Sequence, residues 1–352
     1  MNVVLVCSHP ADSVRMPLAA RPARLAQGLR DMLQAGGHAV ELVILPQRDA
    51  GGADDAVNTI VARHRARPAD VLHALDAAAA AAALRARGII GVPTVFSAQP
   101  SFAAALSDTD RARWVACMRA SDALTVPTAQ DARSVRELGV VCDSVHVVAV
   151  AAAGEVPVSP GLSSPSGERL VSVLSGAHAW GGTIDVVAAL ARVRDTRLVV
   201  AGRCGIPEGP QRLQAAAEAF GVADRVTVTG WLSDADTDAL VDRSAVVVAP
   251  RRSLTSGAAS LRAMGRGRPV IAYDSATQAE IVVDGETGLL VPTGSRAGLA
   301  HAMSTLVDDP FRQEAMGQAG QDRALARFGA EPTTRALDAA YAGTRRLEQL
   351  AS

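Results

Sequence analysis

The chain reads as an α/β protein built from two doubly wound, Rossmann-like domains facing a central cleft. Three observations predict this. Short apolar runs alternate with helical patterns along almost the whole length, and repeated strand–helix–strand units imply parallel sheets with helices on both faces. The 352 residues are enough for two full cores. Near the middle, residues 157–167 (PVSPGLSSPSG) are rich in Pro, Ser and Gly and carry no periodicity, which marks a hinge. The expected domains are therefore residues 1–156 and 168–328, with ligands at the carboxyl ends of the strands.

The elements follow in order. In the first half, strand-length apolar runs occupy Val3–Val6, Val40–Leu45, Val71–Leu75, Thr94–Ser97, Ala123–Val126 and Val145–Val150. Between them lie helical stretches at Arg21–Ala35, Asp55–Ala66, Ala77–Ala86, Ala103–Ala120 and Gln130–Leu138. In the second half the strands are Arg169–Leu174, Arg197–Ala201, Val226–Thr229, Ala245–Ala249, Val270–Ala272 and Leu289–Val291. The helices are Thr183–Arg192, Pro210–Phe220, Asp234–Asp242, Gly257–Gly265, Arg296–Val307 and Pro310–Phe328, with a last one over Pro332–Leu350. Asp284–Gly288 is a turn feeding the final strand.

Composition narrows the chemistry. Net charge is −1, which gives no footprint for nucleic acid or an anionic surface. Aromatic residues are only 3%, which argues against a carbohydrate groove lined with stacked rings. Cys7, Cys117, Cys142 and Cys204 have no metal-like spacing and read as reduced thiols. No basic leader precedes the first apolar run, and the alanine-rich stretch Ala77–Leu84 is too short to span a bilayer. A cytoplasmic protein with no membrane span is the expectation. The chain contains no lysine, so all 35 basic residues are arginine. That excludes Schiff-base catalysis and a P-loop lysine. Any phosphate grip must come from Arg, backbone N–H groups or a helix N-terminus. Ser8–Asp12 after the first strand carries no G-x-G-x-x-G fingerprint.

The segment Val246–Pro292 is the most specific. Pro250, Gly257, Leu261, Ala263, Met264, Gly267, Pro269, Val270, Glu280, Asp284, Gly285 and Gly288 fall in step with a family pattern. That pattern is P-S-x-x-E-x-F-G-x-x-x-L-E-A-M-A-x-G-x-P-V-I-A followed by a Glu-[IV]-V-x-D-G-x-x-G-x-L-V run. The chain thus resembles the family-four (glycosyltransferase group 1) retaining enzymes. Collinear fragments support the resemblance: Gly37–Val40, Asp70–Ala74, Gly91–Val95, Ser121–Ala123, Arg197–Gly202 and Val226–Leu232. It implies the GT-B fold and a C-terminal helix, within residues 329–352, that packs back on the first domain. It also implies a donor-binding second domain and an acceptor-binding first domain. The ligands would be a nucleotide-diphosphate sugar and a small-molecule acceptor, with no metal or other cofactor.

The residues that carry the family's chemistry have changed. Leu254 and Arg262 replace the two glutamates of the Glu-x7-Glu motif. Leu cannot accept a hydrogen bond, and Arg donates but does not accept. The family's phosphate-binding Arg and Lys map onto Ser175 or Gly176 and onto Trp180 or Gly181. The acceptor-side His maps onto Gln99, and the N-G-V-D turn onto Ala149–Ala152.

A rebuilt phosphate site would draw on Gly176, Arg203, Arg251, Arg252, Thr255, Ser256, Gly257, Ala258 and Arg262. The stretch Thr255–Ala258 opens a helix, whose N–H groups suit phosphate. Each position has a plainer alternative. Arg251 and Arg252 read equally as solvated charges, and Arg262 as a snorkelling side chain. His178 and His9 are the candidate titrating groups, with an exposed or turn-capping role as the alternative. His73 reads as a satisfied core residue. Trp231, with Leu232, either meets the nucleobase or packs the core. Glu280, at a family position, is favoured over Asp274 for sugar hydroxyls. Three functions fit: a glycosyltransferase with an atypical donor site, a silent binding or partner-activating subunit for another glycosyltransferase, or a sugar-phosphate binder or phosphorylase.

Overall fold

The computed structural model describes residues 1–8, 22–45, 53–100, 106–141, 144–148, 169–175, 182–202, 208–252 and 257–351. It divides into two compact units, Met1–Gly154 with Gly329–Ser352, and Glu155–Phe328. The predicted hinge, Ala149–Ala152, Leu254, and the candidates His9, Gly176, His178, Arg203, Thr255 and Ser256 lie outside the described residues.

The first unit holds strands β1 (Asn2–Cys7), β2 (Ala39–Ile44), β3 (Val71–Ala74), β4 (Thr94–Ser97), β5 (Ala123–Val126) and β6 (Val145–Val147). They form one parallel sheet in the order β2-β1-β3-β4-β5-β6. Helices α1 (Pro22–Ala35), α2 (Ala53–Ala66), α3 (Ala77–Ile90), α4 (Asp108–Ala120) and α5 (Ala129–Glu137) make the crossovers. β1 is buried from Val3 onward because it sits inside the sheet with helices over both faces. Local chemistry sets the helix ends. The Asp76 carboxylate caps α3 by accepting from Ala78 and Ala79 N–H groups, and it also accepts from the Ser8 backbone at 2.7 Å. α4 starts at Asp108, where the Ser107 hydroxyl caps it by accepting from Asp110 N–H; the start expected at Ala103 lies outside the described residues. The Cys7 thiol is buried, and burial pushes it up to about 12, with Asp76 adding to the effect. Cys7 is thus no nucleophile at neutral pH.

The second unit holds β7 (Leu170–Val173), β8 (Arg197–Ala201), β9 (Val226–Gly230), β10 (Val246–Ala249), β11 (Val270–Tyr273) and β12 (Gly288–Val291). The sheet is again parallel, in the order β12-β11-β10-β7-β8-β9. Its helices are α6 (Thr183–Leu190), α7 (Gly209–Ala219), α8 (Asp234–Arg243), α9 (Ala258–Gly265), α10 (Ala276–Ile281), α11 (Arg296–Val307) and α12 (Pro310–Phe328). The core is an aliphatic block that includes Val171, Val186, Leu198, Val246, Ile271 and Met303. α12 lies so close to α9 that a Cβ on Gly317 would stand 2.1 Å from the Gly267 carbonyl oxygen. α10 was not anticipated from the sequence. It has only six residues, capped by Ser275, too few for a helical period to show.

Helix α13 (Ala330–Ala351) follows α12 in the chain but belongs to the first unit, where it packs on α1, β4, β5 and β6. Tyr341 anchors it, fully buried, with its hydroxyl 2.8 Å from Nδ1 of His73. His73 Nε2 meets the Ser97 hydroxyl at 2.8 Å, and Ser97 meets Thr125 at 2.8 Å. This chain of polar side chains crosses three adjacent strands inside the core. Burial pulls His73 down to about 3, so the ring is neutral. One ring nitrogen then donates and the other accepts.

Candidate functional site

In the second sheet the first strand, β7, lies between β8 on one side and β10 on the other. The winding therefore reverses between β7 and β10, and the crevice outside their carboxyl ends is where doubly wound folds take ligands. Two chain segments border it: Leu174–Ser175 leaving β7, and Pro250–Arg252 leaving β10. The start of α6 is tied to the second of them. The Gly182 N–H donates to the Pro250 carbonyl at 2.7 Å. A Cβ on Gly182 would stand 2.5 Å from that oxygen and 2.5 Å from Tyr273 Cε2. Gly182→Ala should therefore push the start of α6 away from Pro250 and Tyr273 and cost roughly 1–3 kcal/mol by overpacking. A urea titration equal to that of the parent protein would refute this. The Ser175 hydroxyl, at the same crevice, is buried and has no hydrogen-bond partner among the described residues.

The centre of charge beside the crevice is Asp185, in the first turn of α6, with its side chain 3% exposed. Its Oδ2 accepts from the Tyr273 hydroxyl at 2.9 Å and from Arg252 Nη2, and its Oδ1 from Arg296 Nε at 3.0 Å. Burial raises the carboxyl, but hydrogen bonds from Arg252, Arg296 and Tyr273 outweigh it and hold the group below its ordinary value. The Tyr273 phenol is pushed up, first by burial and then by Asp185. Arg252 and Arg296 remain about half exposed, at 49% and 52%. Next to them, burial lowers Arg251 to about 10, which leaves it a cation at neutral pH. Two half-exposed arginines thus share one buried carboxylate, which leaves one positive charge in excess within this group.

Asp185, Tyr273 and Arg296 were not singled out from the sequence. Each belongs to a different element, and only the sheet order brings them together. A first-turn acid such as Asp185 looks like an ordinary partner of the helix dipole.

The other sequence candidates are spread around the unit. Arg262 in α9 is only 7% exposed, and its guanidinium is engaged by α8. Its Nε donates to Asp238 at 2.7 Å and its Nη2 to the Asp234 carbonyl at 2.8 Å. Arg266, one turn on, pairs with Asp242. Gly257 adopts φ +72° at the start of α9, and Ala258 is its first residue. Trp231 and Leu232 follow β9, the edge strand two places from β7. Trp231 is 46% exposed, while Leu232 packs against the cluster of Leu170, Ala201 and Leu240. Glu280 lies half-buried in α10, whose last carbonyls at Glu280 and Ile281 accept from Arg323 at 2.8 and 2.7 Å. Gln99 lies in the first unit, two residues beyond β4. Among the described residues no three His, Cys, Asp or Glu side chains stand together in a metal-binding group. No described helix is long and apolar enough to cross a membrane.

Two parallel six-stranded sheets with this winding define the class: the GT-B glycosyltransferase fold. Residues 170–309, within the second unit, match the family model described as Glycosyl transferases group 1. Among curated proteins, the chain is 34% identical over 129 residues to the alpha-D-kanosaminyltransferase of Streptomyces kanamyceticus. That alignment covers 36% of this chain and 32% of the relative. It is 32% identical over 163 residues to the alpha-maltose-1-phosphate synthase of Mycobacterium tuberculosis, covering 42% of this chain and 41% of that one. The chain therefore aligns with well under half the length of these relatives. Among solved structures, the sucrose-phosphate synthase of Thermosynechococcus elongatus superposes with a TM-score of 0.77 at 19% identity, over 100% of both chains. HepE of Anabaena, solved in complex with UDP, gives 0.71 at 16% identity, over 96% of this chain and 98% of that one.

Proposed function

We propose that the protein is a glycosyltransferase that moves a sugar from a nucleotide-diphosphate donor to a small-molecule acceptor in the cytoplasm, without a metal. The observation that carries this reading is the positive switch-point crevice of the second unit, within a stretch that matches the group 1 family model. Breaking the bond to a pyrophosphate leaving group requires stabilisation of the charge that develops on it. With no lysine in the chain, arginine is the side chain that can do so. The first unit would supply the acceptor side, including Gln99, and Glu280 and Trp231 would meet the sugar and the base. His9 and His178 remain candidates for proton transfer.

The test is a melting screen against nucleotide diphosphates and nucleotide sugars. A ligand at a hundredfold excess over its Kd should add about 2.7 kcal/mol to stability. Absence of any shift across the panel would sink the donor reading. A second reading, a silent subunit that binds or activates another glycosyltransferase, is favoured by one observation. Arg262, at the place of the family's ribose-binding glutamate, is bound to α8. Donor binding without measurable transfer or donor hydrolysis would select it.

A further inference from the structure

The segment leaving β7, Leu174 to Gly182, contains no arginine and the chain no lysine, so a diphosphate in the crevice must find its cations elsewhere. We propose that Arg252 and Arg296 grip the donor diphosphate and that Asp185 is the positioning residue that sets both. The proposal rests on the donor reading above.

The geometry supports it in three ways. Asp185 takes Arg252 on one oxygen and Arg296 on the other, so a single carboxylate fixes the spacing of two forks. It does so from a rigid place. It is buried, in the first turn of α6, and its Oδ2 is fixed by a fully buried tyrosine at the end of β11. Each guanidinium spends part of its fork on Asp185 and stays half exposed, which leaves donors for a ligand. Pre-set arginines lose less freedom on binding than free ones. The Ser175 hydroxyl, buried at the adjoining segment without a partner among the described residues, offers one more donor. Arg252 follows the β10 side of the crevice and Ser175 the β7 side.

The charge arithmetic gives a test that separates positioning from simple neutralisation. If Asp185 only offsets charge, Asp185→Asn makes the site more positive and tightens a diphosphate. If it positions the arginines, the same change weakens binding. The experiment titrates the full chain with UDP, GDP and ADP and with uridine, guanosine and adenosine. The quantity read is the preference for a diphosphate over its own nucleoside. Arg252→Gln and Arg296→Gln should each reduce that preference roughly tenfold or more, the effect of losing a charge-assisted fork, with nucleoside affinity unchanged. Asp185→Asn should reduce it as well. Both arginine side chains are half exposed, so their variants should fold, which circular dichroism checks. A preference that survives both arginine changes would overturn the grip, and tighter diphosphate binding in Asp185→Asn would overturn the positioning role. If no nucleotide binds at all, the donor reading falls and inorganic pyrophosphate tests the grip alone. Binding lost in Arg252→Gln would keep it, and no binding to the parent chain would end it.

Discussion

Arg262→Glu, with or without Leu254→Glu, should destabilise the second unit rather than restore the family's glutamate pair. Arg262 is 7% exposed and holds Asp238 and Asp234 of α8. Glutamate there would remove the cation and set a third carboxylate beside two others. Breaking a buried pair in this way costs about 3–5 kcal/mol, and partial exposure of the two aspartates moves the expectation towards the lower end. Urea denaturation is the measurement. A variant that unfolds at the parent's midpoint would refute the account. A control sharpens it: Arg262→Met together with Asp238→Leu removes both charges and should be close to neutral, because matched apolar replacements leave no uncompensated charge. The consequence for function is direct. This scaffold cannot regain the glutamate by one substitution, since α8 has been built to receive arginine. Any nucleotide is then held without a carboxylate on the ribose from this position.

That ladder was partly legible in the sequence. Asp234, Asp238 and Asp242 are spaced i, i+4, i+8, and Arg262 and Arg266 are spaced i, i+4, so each set lies on one helix face. What periodicity does not give is that the two faces meet. That depends on α8 and α9 packing on the same side of the sheet. The strands were legible for a simpler reason: a parallel strand buried on both faces leaves an apolar run, unbroken in Val246–Ala249 and interrupted only by the buried Ser172 in Leu170–Val173. The group around Asp185 left no such trace. Its members Asp185, Arg252, Tyr273 and Arg296 come from α6, the β10 exit, β11 and α11, and no local spacing connects them. A resemblance read through motifs also looks where the family keeps its chemistry. Here that pointed to Arg252 and Arg262 alike, and gave no sign that Arg252 shares Asp185 with Arg296 while Arg262 is held by α8.

Tyr341→Ala should detach α13 from the first unit and cost about 3–5 kcal/mol, the usual loss for a large buried aromatic side chain. Tyr341 is fully buried, and its hydroxyl is one end of the chain through His73, Ser97 and Thr125. Tyr341→Phe keeps the ring and strands one nitrogen of His73, so it should cost about 1–3 kcal/mol. A Tyr341→Phe variant that unfolds at the parent's denaturant concentration would show that the hydroxyl does nothing. The neutral ring also fixes a pH dependence. An unfolded His titrates near 6.5, whereas burial pulls His73 in the folded chain down to about 3. Its contribution is therefore full above pH 6.5. Below that the unfolded state binds one more proton, and stability falls by about 1.4 kcal/mol per pH unit until the folded ring itself titrates. His146, half-buried on β6, is lowered by burial as well and acts in the same direction. The window from pH 6.5 to 5 isolates the histidines, because the carboxylates titrate lower. Urea midpoints across that window should fall steadily in the parent and more gently in His73→Gln, which has no proton to gain at that position. Equal slopes for the two would mean that the ring is charged inside the fold, and that α13 is held by something other than a neutral histidine.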